Sequence, residues 1–252
     1  MSAGNVLVMT STIAPRPGVH ALARTDPALR LAEYLAAVDF YSPLVADGVF
    51  DAAVYIDNSG HALGAVERNV AMAGTKNRWE FVSYKATTPP DLCRYFHEAN
   101  LLLEGVKRSR VITQAAKKAD TVLWKVTGRY IIDNIDKIVN TWPAECDLYL
   151  NLRNLPKKVV DFYLVGARAD VFEKFLHRDL GEFRTREDGE IILRRKIDAG
   201  DYIDLKITPR LVVTPRLTGV RGFDGASYKS ARQGSKFFLR SAANIVAPWL
   251  WI

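Results

Sequence analysis

The sequence predicts an α/β protein, a three-layer sandwich with a mostly parallel central sheet, and three observations lead there. The runs at 5–10, 52–56 and 121–126 are rich in Val, Ile and Leu with little alternation, as expected of strands covered on both faces. Helical-period segments punctuate them, in the order strand–helix–strand–strand–helix–strand, which is the pattern of an α/β sandwich. The strands end in polar motifs, Thr10-Ser11-Thr12, Asp57-Asn58-Ser59 and Thr127-Gly128-Arg129, where sheets of this class bind ligands.

The first strand, 5–10, runs into a Pro- and Gly-rich turn over 11–18. Asp26 can cap a helix with Pro27 in its first turn, and Leu31, Tyr34, Leu35 and Val38 then recur at helical spacing. Strands follow at 52–56 and 79–84, and the Thr87-Thr88-Pro89-Pro90 stretch is a loop. Helices are expected around 95–106 and 111–119, a strand at 121–126, and a helix at 133–139. Short strands at 147–150 and 162–165 and a short helix at 171–176 come next. Residues 187–193 read as a hairpin turn and strand, and 227–246 as a terminal helix. The expected division is a catalytic domain over 1–204 and a basic C-terminal extension over 205–252.

Composition narrows the class. The chain has 252 residues, 48% hydrophobic and 25% charged, ordinary for a globular protein with its own core. Its two cysteines, Cys93 and Cys146, make neither a disulfide framework nor a zinc spacing, which fits a reducing compartment. The N-terminal segment lacks signal-peptide character, and the charge-free stretch 241–252 is far short of a spanning helix. The expected location is cytoplasmic, or peripheral on the inner face of a membrane. The formal net charge is +7, and segment 205–252 holds all of the excess: Lys206, Arg210, Arg216, Arg221, Lys229, Arg232, Lys236 and Arg240 against Asp224 alone. Such asymmetry points to an anionic partner, with a solvated basic surface as the plainer alternative.

The run Lys125-Val126-Thr127-Gly128-Arg129-Tyr130 carries the most chemistry. Lys125 lies inside an apolar strand, where an unpaired charge is costly. Gly128 allows close backbone approach, and Arg129 offers a planar fork for phosphate. Together they could neutralise a diphosphate leaving group, or form a salt bridge to Asp133 or Asp136 beside a turn glycine. Asp57, Asn58 and Ser59 could hold ribose, base or phosphate, though Asn-Ser-Gly is also a good turn. His97-Glu98 opens a helix and could supply a general base; Asp161, Arg94 and Glu104 are weaker candidates. Asn151, Arg153 and Asn154 follow a strand and could line a site or serve a loop. The Asp188-Gly189-Glu190 turn is discounted. There is no D-x-D pair, P-loop, Rossmann glycine fingerprint or G-x-S-x-G, which argues against ordinary NTPases, dehydrogenases and α/β-hydrolases. In the terminal helix, Lys229, Arg232, Lys236 and Arg240 share one face beside Phe237, Phe238, Leu239, Trp249 and Trp251. That mixture suits an anionic bilayer surface, nucleic acid, or packing back on the domain.

The motifs at Val8 to Thr12, 23–27, Tyr55 to Gly60, Trp124 to Tyr130, Asn151 to Asn154 and Ala247 to Ile252 together make the chain resemble bacterial glycosyltransferases of surface-polysaccharide and lipopolysaccharide clusters. The resemblance implies a GT-A-like nucleotide-sugar-binding domain plus a basic C-terminal extension, and spans most of the chain. It departs from many GT-A enzymes in lacking D-x-D, which implies cations in place of a metal; a divalent metal is unsupported and no cofactor is required. On this reading a sugar passes from a nucleotide-activated donor to a hydroxyl of a saccharide or lipid-linked acceptor. Thr10, Thr12, Asp57, Asn58, Ser59, Thr127, Gly128, Asn151 and Arg153 would bind the donor. Lys125 and Arg129 would stabilise its phosphates, and Glu98 or Asp161 would deprotonate the acceptor. The alternatives are a transferase acting on hydroxymethylated DNA bases and a non-catalytic nucleotide-sugar-binding module.

Overall fold

The computed structural model describes residues 4–19, 22–118, 120–178, 180–220, 228 and 231–247, with side chains left out at 231–233, 236 and 245. In chain order the elements are β1 (Gly4–Ser11), α1 (Pro27–Ala46), β2 (Ala52–Asp57), α2 (Gly64–Met72), β3 (Trp79–Ser83), α3 (Arg94–Arg108) and α4 (Arg110–Ala115). Then come β4 (Thr121–Thr127), β5 (Ile131–Ile132), α5 (Ile135–Val139), β6 (Leu148–Tyr149), β7 (Leu152–Arg153), β8 (Val159–Val160) and β9 (Leu164–Arg168). The chain continues through α6 (Ala169–His177), α7 (Gly189–Ala199), β10 (Ile207–Thr208), β11 (Leu217–Thr218) and α8 (Ala231–Val246).

Seven strands form the central sheet in the order β10-β6-β9-β4-β1-β2-β3. All pairings are parallel except those of β9, which runs antiparallel to β4 and β6. The protein is thus a three-layer α/β sandwich, as the sequence predicts. The two-residue strand period explains its two cores. Val6, Val8 and Leu123 join the cluster under α3, α4, α6 and α7. Leu7, Met9, Val122, Trp124 and Val126 join the opposite cluster with α1, α2 and α5. Both faces are covered, so the strands show little alternation.

Local chemistry sets the helix starts. Asp26 caps α1, its Oδ1 accepting from the backbone N–H of Ala28 at 2.8 Å and Leu29 at 3.2 Å. The expected hairpin and strand at 187–193 is instead the start of α7. Asp188 caps it by accepting from Glu190 N–H at 3.1 Å, and Ile192, Leu193 and Ile197 face the core. The β-branched run there is outweighed by this cap and by helix-period burial. Past residue 204, β10 extends the sheet, and Leu205 and Leu211 are buried. Of the expected helix at 227–246, the structure describes Ala231–Val246. Lys229, Trp249 and Trp251 lie outside the described residues, as do the side chains of Arg232 and Lys236. Among the described residues no helix is long and apolar enough to cross a membrane.

Candidate functional site

The parallel strands β1, β2 and β4 end on one edge of the sheet, and antiparallel β9 begins there, with Val126 opposite Leu164. This edge gathers Thr10, Thr12, Asp57, Asn58, Ser59, Thr127, Gly128, Arg129 and Asp161. The start of α3 crosses it and brings Glu98.

The two-residue period puts Lys125 on the same face as Leu123, toward α3. There it is fully buried. Its Nζ lies 2.6 Å from Glu98 Oε1 and 3.3 Å from Thr127 Oγ1, donates to the Phe162 carbonyl, and sits 4.4 Å from the centre of the Phe162 ring. Burial pushes its pKa down, and the Glu98 charge opposes that shift. All three ammonium donors have partners, so the expectation that Lys125 faces a phosphate is corrected: it is enclosed and holds Glu98. The same Glu98 Oε1 accepts from Thr10 Oγ1 and Thr127 Oγ1, each at 3.0 Å. Oε2 takes part in none of these bonds, and the side chain keeps 24% of its exposure.

Asp57 is spent differently. One oxygen accepts from Ser11 Oγ at 2.8 Å and Ile13 N–H at 2.9 Å; the other accepts from Ser59 N–H at 2.9 Å and Ser59 Oγ at 2.6 Å. These four bonds fill its acceptor sites. Asp57 therefore ties the ends of β1 and β2 together, and direct acceptance from a ribose is not its role. Thr12 and Asn58 remain partly exposed, and Thr12 Oγ1 donates to Asn58 Oδ1 at 2.6 Å. This bond orients the Asn58 amide.

Gly128 makes the turn out of β4 possible. A Cβ there would stand 2.5 Å from the Thr10 carbonyl oxygen, which accepts from Gly128 N–H at 2.9 Å. The next residue, Arg129, is buried, and its guanidinium lies 5.5 Å from the Tyr130 ring centre. Its NH1 is 3.9 Å from Glu33 Oε2, and both atoms are buried without a hydrogen bond. Glu33 Oε1 instead binds Arg24 at 2.5 Å. A buried guanidinium nitrogen without a bonded partner is rare in folded proteins.

Asp161 and its neighbours form a separate group. Its oxygens accept from Asn151 Nδ2 at 2.7 Å and Arg153 Nε at 2.9 Å, and its side chain is 7% exposed. Across the Phe162 peptide lies Glu190, which the sequence reading set aside. Its Oε1 accepts from Phe162 N–H at 3.1 Å. Burial, with the Asp161 and Asp188 charges, pushes its pKa up to about 7. Only the packing of α7 against β8 brings it here, and the sequence carries no signal for that. His97 turns from the edge toward Thr88 and Pro90, and burial lowers its pKa.

Among the described residues no three His, Cys, Asp or Glu side chains gather as a metal site. A groove of about 300 Å³ between α3, α4 and α6, lined by Val106, Ile112 and Phe172 together with Lys107, Asp170 and Glu173, lies at the opposite edge.

The sequence matches no protein-family model and no curated protein. Solved structures show similarity in overall chain course. A protein named as a nucleotide-diphospho-sugar transferase from Desulfovibrio desulfuricans is 12% identical, with 97% of each chain covered and a TM-score of 0.46. A protein named as a glucose-1-phosphate thymidylyltransferase from Bacillus anthracis, solved with sucrose, is 9% identical over 94% of each chain, with a TM-score of 0.46. The inositol-1-phosphate CTP transferase of T. maritima is 9% identical, with 94% of this chain and 97% of that one covered and a TM-score of 0.47. No residue role is carried over from them.

Proposed function

We propose that the protein is a glycosyltransferase that uses a nucleotide-activated sugar, with a GT-A-like donor site at the strand-end edge. The observation that carries this reading is Arg129: a buried guanidinium at the end of β4, placed by Gly128, whose NH1 makes no hydrogen bond and only a 3.9 Å ion pair with Glu33. A phosphate there would complete its hydrogen bonding in a low-dielectric setting, where a charge-assisted bidentate pair is strong. As the sugar–phosphate bond breaks, the developing negative charge on the phosphate meets a fixed cation, which is electrostatic transition-state stabilisation.

The neighbouring residues take roles by their geometry. Thr12 and Asn58 contact the nucleotide, with Asp57 fixing the loop beneath them. Glu98, held through one oxygen by Lys125, Thr10 and Thr127, presents the other to the acceptor hydroxyl and takes its proton. Asp161 is pinned between Asn151 and Arg153 and is the poorer base. Lys125 is a positioning residue for Glu98. The acceptor is a hydroxyl of a saccharide or lipid-linked saccharide, and surface-polysaccharide assembly is the process we assign to it.

The test is a thermal-shift screen against nucleotides and nucleotide sugars, with and without manganese. A ligand that binds the folded state alone raises the melting temperature. We expect at least one nucleotide sugar to raise it without manganese. No shift from any of them would remove the reading.

A further inference from the structure

Helix α8 turns Arg240 and Asn244 toward the domain. Asn244 Nδ2 donates to Thr214 Oγ1 at 2.7 Å, and Asn244 Oδ1 accepts from Arg210. Arg240 lines a small cleft with Asn151, Tyr163 and Asn244. The opposite side is apolar and open: Phe238 is 72% exposed, Leu239 66% and Val246 76%. These residues and exposed Ala242 fall on one side of an ideal helix. The sequence expectation for this helix is a basic outward face, yet Arg240 is turned toward the domain, and among the described outward residues Phe238, Leu239, Ala242 and Val246 are apolar, with Ser235 between them.

A single exposed leucine needs no explanation, but a strip of large apolar side chains on one helix marks a contact surface. What covers it is indicated by charge. The segment 205–252 carries eight bases against one acid, while the rest of the chain is neutral. A positively charged segment with an exposed apolar helix face complements an anionic bilayer, which offers both a negative surface and an apolar interior. A second copy of the chain would bring the same excess positive charge to the interface and repel it.

We propose that the outward face of α8 inserts its apolar strip into the interface of an anionic lipid membrane, with the basic segment held by the headgroups. The inference does not depend on sugar transfer.

The experiment is flotation of the full chain with vesicles of phosphatidylethanolamine plus phosphatidylglycerol, and with vesicles of phosphatidylcholine alone. The protein is expected to float with the first and not with the second, and to be released by high salt. The double variant Phe238→Ser, Leu239→Ser is expected to lose about tenfold or more in vesicle binding, with an unchanged melting temperature, because both side chains are exposed. Failure of the wild type to float with anionic vesicles overturns the proposal. So does a double variant that floats equally well, or a wild type that forms a dimer through this face without binding lipid. Nucleotide-sugar shifts measured on the same samples report separately on the donor site.

Discussion

Lys125 is the residue that decides how the strand-end edge is read. An ammonium inside an apolar strand is tolerated only with a full set of partners, and it has them in Glu98, Thr127 and the Phe162 carbonyl. Removing one member of a buried ion pair costs about 3–5 kcal/mol. Because Glu98 is partly exposed, Lys125→Ala is expected at the lower end of that range, read as a fall in the urea midpoint. An unchanged midpoint would mean that the pair contributes nothing to folding. Glu190 gives a second test at this scale. Its folded pKa is raised to about 7 from an ordinary value of 4.5. A carboxyl raised on folding stabilises below its unfolded pKa, and that contribution is lost as pH rises through the folded one. Stability should therefore fall between about pH 4.5 and 7, and Glu190→Gln should flatten that part of the profile. An identical profile in the variant would place the titration elsewhere.

At the scale of elements, β4 and β1 converge on Gly128, and what matters there is space. A methyl group at Gly128 would meet the Thr10 carbonyl oxygen at 2.5 Å, a backbone atom that cannot swing aside. Gly128→Ala is expected to destabilise by about 1–3 kcal/mol, the usual cost of forcing atoms into a packed site. It should also weaken ligand binding, since Thr10 and Arg129 move with the two strands. Chemical denaturation of the variant checks this, and wild-type stability would contradict the tight approach. The elements themselves were largely legible in the sequence. The Asp26-Pro27 start of α1 and the apolar runs of β1, β2 and β4 follow from local rules. Helix α7 was not legible, because Ile191-Ile192-Leu193 has strand character and its cap competes with a turn reading. The pairing of Glu98 with Lys125 was not legible either: it needs α3 to cross β4, and nothing local encodes that register. Helix α2 escaped notice because only Val66 and Val70 of it are buried.

Across the whole molecule, the sheet order places the ends of β1, β2 and β4 and the beginning of β9 on one edge, and the candidate site is a consequence of that topology. The convergence of strand-end motifs was readable from sequence because open α/β sheets bind ligands beyond their strand ends. Which side chains turn outward was not. Asp57 and Lys125, promising by type, are consumed internally, whereas Arg129, also buried, keeps a nitrogen with no hydrogen bond, 3.9 Å from Glu33. The charge asymmetry was fully readable, but the inward turn of Arg240 was not, since helix periodicity leaves open which face meets the domain. The account depends most on Arg129 meeting a donor phosphate. Its most direct test is the rate of nucleotide release from a donor identified by thermal shift, compared between wild type and Arg129→Ala. The variant is expected to keep its fold and lose about 10²–10³ in turnover, the usual cost of deleting one transition-state donor; full turnover in a folded Arg129→Ala protein would contradict it.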